Sequence, residues 1–143
     1  MSEANKAISR RFIEEAFTKG NLAVLDEIVA PGHTNSGPGS IPGLPPGPEG
    51  SKQIVSVYRN AFPDLKLTVN DVIAEGDKVV TRWTGTGTHK GELPGGIPAT
   101  GKTSTVTGMG IDRIVNGKIV ESWGIFDQLG MLTQLGLVPP PGH

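Results

Sequence analysis

The dipeptide Asn116-Gly117 separates Thr103–Val115 from Lys118–Phe126, two runs rich in Val, Ile and Thr. Asn-Gly supplies the two positive-φ positions of a tight hairpin turn, so the runs must fold back on one another as antiparallel strands. Upstream, Glu75-Gly76-Asp77 is a second tight turn. It joins Leu65–Ala74, where Leu65, Leu67 and Val69 alternate, to Lys78–Thr88. The alternation falters near Asn70-Asp71, which predicts a bulge. Gly85–Gly101 is too rich in Gly and Pro for a helix and reads as a long connection between strands. The pattern predicts an antiparallel meander of at least four strands.

Helical periodicity lies mostly before the meander. In Met1–Lys19, Ile8, Phe12, Ala16 and Phe17 recur at helical spacing among charged residues, and Gly20 provides a stop. Asn21 can cap a short helix carrying Leu22, Leu25, Ile28 and Val29, which Pro31 ends. Pro48–Phe62 is helical through Ile54, Val57, Tyr58, Ala61 and Phe62, and Pro63 stops it. Gln128–Leu135 is a short amphipathic segment, after which Pro139–His143 frays. Gly32–Gly50 is punctuated by Gly and Pro and reads as an irregular loop, either a connector or a lid over a pocket. Helices first and a meander after make one α+β domain over residues 1–143, with helices covering a curved sheet. Such a sheet encloses a cone whose open mouth is a ready pocket.

At 143 residues the chain can bury a substantial core. A net charge of −1 offers no basic surplus for a phosphate backbone, so nucleic acid is not expected as a partner. The chain has no Cys, hence no disulfide, thiol nucleophile or thiolate metal site. No apolar run approaches the ~18 residues of a membrane span, and a cytoplasmic protein is the expectation.

Gly96–Thr103 matches the phosphate-loop pattern G-x-x-x-x-G-K-[ST]. That loop works because a helix N-terminus follows it, whereas Ser104–Gly110 is β-branched and reads as strand. Nucleotide binding is therefore not expected. Asp127 closes the strand Val120–Phe126, sharing a face with Glu121, Trp123 and Ile125 in plain alternation. It can N-cap the last helix, or act as a desolvated acid/base. His89 enters the long connection, and His33 and Asn35 open the Gly/Pro-rich segment. Arg82 alternates with Val80 and Thr84, so an inward orientation would require a carboxylate such as Glu121 or Asp127. Three His without H-x-x-H spacing do not suggest a metal site.

The ordered series begins with Ala61-Phe62-Pro63-Asp64, then Gly76-Asp77-Lys78-Val79-Val80-Thr81-Arg82-Trp83 and Gly87-Thr88-His89-Lys90-Gly91. It continues through Thr100-Gly101-Lys102 and Gly117-Lys118-Ile119-Val120-Glu121-Ser122-Trp123 to Asp127 and Gln134-Leu135-Gly136. The set resembles the SnoaL-like polyketide (ester) cyclases of the NTF2-like superfamily. The resemblance implies a cone-shaped α+β fold, usually a homodimer, with no metal or organic cofactor. It also implies an enzyme that closes a ring in a polyketide-type ester by intramolecular aldol chemistry on a small apolar or aromatic ligand. Asp127 occupies the motif position of the acid/base, and His33, Arg82, His89 and Trp123 match pocket positions. On this basis Asp127 and His89 are expected to be catalytic, and His33, Asn35, Arg82, Trp123 and Glu121 to bind substrate. The alternatives are a non-catalytic binder of small molecules on the same cone, or another acid/base reaction there, such as epoxide hydrolysis or isomerisation.

Overall fold

The computed structural model describes residues 2–139. Met1 of the first predicted helix and residues 140–143 of the predicted frayed tail lie outside the described residues. The chain opens with α1 (Ser2–Arg11), which widens into a π-helical stretch over Phe12–Thr18. In the α-helical form, side chains five residues apart point in well-separated directions, whereas a wider turn brings them together. Phe12 and Phe17 accordingly meet with ring centroids 5.5 Å apart and their planes tilted by 49°. Gly20, at φ 72°, ends the stretch, and the Arg59 guanidinium donates to the terminal carbonyls of Phe17 and Thr18 at 2.7 and 2.8 Å.

Two further helices follow, α2 (Ala23–Ile28) and α3 (Pro48–Ala61), and between them lies β1 (Val29–Ser36). The predicted meander is present as β2 (Lys66–Glu75), β3 (Lys78–Thr88), β4 (Thr103–Val115) and β5 (Lys118–Phe126), before α4 (Gln128–Gln134). Since Thr103 starts a strand, no helix receives the phosphate-loop sequence. Strand order is β1-β5-β4-β3-β2, and the expected bulge falls between Val69 and Asp71.

β1 is the element that the sequence reading placed in a helix end and a loop. It pairs in parallel with β5, and the register slips between Val29 and Thr34. Pro31 and Gly32 lie in that slip, where an edge strand tolerates a missing N–H donor. The irregularity leaves His33 fully buried at the sheet edge. Only residues 37–47 of the Gly/Pro-rich segment remain irregular. They are tied down by Gly39 N–H to the Gly124 carbonyl and Gly47 N–H to the His33 carbonyl, both 2.8 Å.

Two apolar clusters hold helices to sheet. One gathers Ala16, Val24, Leu25, Ile28, Val29, Val55, Val79, Ile114 and Ile119, and the other Ala61, Phe62, Leu93, Met131 and Leu135. Each fully buried aliphatic side chain contributes about 1.5–3 kcal/mol. Phe62 and Met131 of the second cluster, with the flanking residues Phe12, Phe17 and Tyr58, border a cavity of about 180 Å³.

Candidate active site

Strand register and alternation set the cavity floor. Three rows run across β3, β4 and β5 on the helix-covered face: Val79–Asp112–Ser122, Thr81–Gly110–Gly124 and Trp83–Gly108–Phe126. In the third row the Trp83 indole lies on Gly108 so closely that a Cβ there would collide with it. Phe126 stands 6.5 Å from Trp83 and meets Tyr58 edge-on at 6.0 Å, completing an aromatic wall. Desolvation raises the Tyr58 pKa, which keeps its phenol protonated at neutral pH.

The first row carries the charge. Ser122 Oγ donates to Asp112 Oδ1 at 2.7 Å, and Ser9 Oγ of α1 donates to Oδ2 at 2.8 Å. Because the Ser122 proton is directed at Asp112, Ser122 accepts from His33 Nε2–H at 2.9 Å. That assignment leaves His33 Nδ1 as a buried acceptor without a partner among the described residues. Burial lowers the His33 pKa to about 4, so the ring is neutral at pH 7. Burial also raises the Asp112 pKa, opposed by hydrogen bonds from Ser122 and Ser9. Asp112 therefore presents a poorly hydrated carboxylate to an apolar chamber, the environment that makes a carboxyl group a useful acid or base near neutral pH.

The residues singled out in the sequence are dispersed. Asn35 borders the cavity, Trp123 lies at its edge but belongs to the exposed sheet face with Ile111, and His33 joins the Asp112 network. His89 is fully buried but outside the cavity wall. Its Nδ1 accepts the Thr100 N–H at 3.2 Å, and its ring packs on Phe62 at 5.5 Å, which anchors the base of the long connection. Arg82 lies on the opposite, exposed sheet face and pairs with Asp71 across β2–β3, Nε to Oδ2 at 2.7 Å. Glu121 is on that face too, bonded to Arg113 Nε at 2.6 Å. Asp127 is exposed and caps α4, its Oδ1 accepting Gly130 N–H at 2.9 Å, and it does not line the cavity.

Sequence reasoning missed Asp112 because Asp112-Arg113 precedes the Asn116-Gly117 turn and reads as a solvated approach to it. The signal was the period of two through Ser104, Val106, Gly108, Gly110 and Asp112, which puts a carboxylate on the inward face.

The family model for SnoaL-like polyketide cyclases matches residues 7–135. The chain belongs to the SnoaL-like polyketide cyclase family. Among solved structures, this SnoaL-like chain is similar to TsrD from Streptomyces laurentii, at 30% identity and a TM-score of 0.85, covering 95% of this chain and 97% of that one. It is also similar to IdmH from Streptomyces antibioticus, a protein proposed to be a polyketide cyclase. That match has 35% identity and a TM-score of 0.74, with 92% and 98% of the two chains covered. A protein of ketosteroid isomerase-like fold from Catenulispora acidiphila DSM 44928, in complex with trimethylamine, shares the fold. It is 19% identical with a TM-score of 0.74, over 92% and 93% of the chains. No curated protein matches the sequence significantly. No helix among the described residues is long and apolar enough to cross a membrane.

Proposed function

We propose that this SnoaL-like protein closes a ring in a polyketide-type ester by intramolecular aldol chemistry, with Asp112 as the acid/base. The observation that carries the proposal is the placement of Asp112, a half-buried carboxylate in the wall of an otherwise largely apolar cavity, held by Ser122 and Ser9. In the reaction, ionised Asp112 takes a proton from a carbon flanked by two carbonyls. The resulting enolate carbon bonds to a second carbonyl of the same molecule, and the new alkoxide recovers the proton from Asp112. The cavity contributes by folding the chain so that both carbons meet, and by excluding water that would quench the enolate. Tyr58, protonated and bordering the same cavity, is suited to donate to the developing oxyanion.

A second reading gives the acid/base role to Asp127, as the family resemblance implies. It is favoured by the neighbours Phe126 and Met131, which border the cavity, and by Oδ2, which makes no hydrogen bond among the described residues. Turnover of a cyclisable ester by Asp112→Asn and Asp127→Asn separates the two. A loss of ~10²-fold or more identifies the base. If the wild type itself shows no turnover while ligand binding persists, the protein is a binder, and if both variants turn over at the wild-type rate, neither carboxylate is the base.

The quaternary proposal is a homodimer formed through the exposed sheet face. There Ile73, Val80, Ile111 and Trp123 form an apolar row in register. Charged residues Glu75, Lys78, Arg113 and Glu121 flank it on one side, and Asp71 and Arg82 on the other. Ile73 is 63% exposed and Trp123 41%, a cost that a second copy of the same face would relieve.

A further inference from the structure

The middle row of the floor, Thr81–Gly110–Gly124, is used by neither reading of the acid/base. Thr81 is only 4% exposed, borders the cavity, and its hydroxyl has no hydrogen-bond partner among the described residues. A buried hydroxyl without a partner is costly, and nearly all such groups in folded proteins are satisfied by protein, water or ligand. Beside it, Gly110 and Gly124 are directly paired across β4–β5. A Cβ built on Gly124 meets nothing within 4 Å, so this glycine is not required by packing. Its φ is not positive either, so no backbone demand explains it. In mid-strand a glycine weakens the sheet relative to a side chain that packs. Gly108, one row away, is different, because the Trp83 indole already fills its space.

From these observations we infer that Thr81, Gly110 and Gly124 form a size-selective subsite for a flat ring bearing a carbonyl or hydroxyl oxygen at its edge. The ring lies on bare backbone at Gly110 and Gly124, beside the Trp83–Phe126 wall. The Thr81 hydroxyl donates to the ring oxygen, and Asp112 and Ser122 of the next row lie beyond the ring. The two glycines set the width of what can enter. The inference rests on the cavity being the substrate site, but not on which carboxylate moves the proton.

Binding without turnover tests it. The probes are 9-fluorenone, a flat ketone, its carbonyl-free analogue fluorene, and the smaller single-ring ketone acetophenone, titrated calorimetrically against the full chain. Thr81→Val keeps the shape and removes the hydroxyl. It should weaken 9-fluorenone by about 5- to 10-fold, the usual worth of one hydrogen bond, and leave fluorene unchanged. Gly124→Val fills the bare floor and should weaken 9-fluorenone and fluorene by more than 10-fold while retaining acetophenone. Gly124→Ala, a smaller intrusion, should fall between wild type and Val.

Equal losses for 9-fluorenone and fluorene in Thr81→Val would overturn the hydrogen-bonding role. Unchanged 9-fluorenone affinity in a folded Gly124→Val would overturn the floor. No binding of any probe by the wild type would overturn the subsite altogether. If the binding pattern holds and no cyclisation is found, the subsite stands and the cyclase proposal fails alone.

Discussion

Ser122 stands directly opposite Asp112 across β4–β5 and gives its hydroxyl proton to Asp112 Oδ1 at 2.7 Å. That one bond orders the whole hydrogen-bonded chain, because it makes Ser122 an acceptor toward His33, whose imidazole burial keeps neutral. It also fixes the plane of a carboxylate that Ser9 holds from the helical layer at 2.8 Å. Sheet edge, sheet centre and first helix thus meet at a single charged group.

A carboxylate kept for chemistry should cost stability. The folded-state pKa of Asp112 is raised above its ordinary 3.8, so its favourable contribution exists below that value and is lost as pH rises through the folded pKa. Asp112→Asn should therefore be more stable than wild type at pH 7, by about 1 kcal/mol or roughly 3 °C in melting temperature. The two proteins should converge below about pH 4. A variant less stable than wild type at neutral pH would show that the carboxylate is structural.

His33 has the opposite signature. Its folded pKa is depressed from 6.5 to about 4, so its contribution is present above 6.5 and disappears as pH falls toward 4. The full swing is roughly 3 kcal/mol by the usual conversion. Because Asp112 gains stability in part of that window, the measurement belongs in the Asp112→Asn background. Adding His33→Gln there should flatten urea-unfolding free energy between pH 7 and pH 4.5, and an unchanged slope would contradict it.

Asp127 is a helix cap whatever else it does. Asp127→Ala should cost about 1 kcal/mol, while Asp127→Asn, an equally good cap, should leave the melting temperature nearly unchanged. Equal losses for both would point to a need for the charge itself.

The exposed apolar row makes a prediction about mass. Light scattering should give twice 15.0 kDa for the wild type and 15.0 kDa for Ile111→Lys, which places a charge in the middle of the row. A monomeric wild type at micromolar concentration would remove the dimer.

The elements written in local chemistry were legible. The bounds of β3, β4 and β5 follow from the Glu75-Gly76-Asp77 and Asn116-Gly117 turns and the Pro/Gly content between Thr88 and Thr103. Pro48 at the start of α3 and Asp127 at the cap of α4 were equally readable. β1 was not, because Pro31 and Gly32 break its period and its partner, β5, lies more than 80 residues away. The π-helical turn was also hidden, since Phe12 and Phe17 suit an α-helical face nearly as well. The site was the least legible part. Alternation indicates which residues share a face, as with Glu121, Trp123, Ile125 and Asp127. Which face is inward was decided by where the helices landed, and they cover Asp112, Ser122 and Gly124.

The most direct test of the account is the pH dependence of cyclisation by wild type, Asp112→Asn and Asp127→Asn. The substrate is an open-chain ester with a methylene between two carbonyls and an acceptor carbonyl, followed by loss of its absorbance. Wild-type kcat/KM should rise with pH through a single ionisation above the ordinary carboxylate range. Asp112→Asn should lose ~10²-fold or more together with that ionisation, and Asp127→Asn should keep both. The reverse outcome, a dead Asp127→Asn and an active Asp112→Asn with the same pH profile, would contradict the assignment.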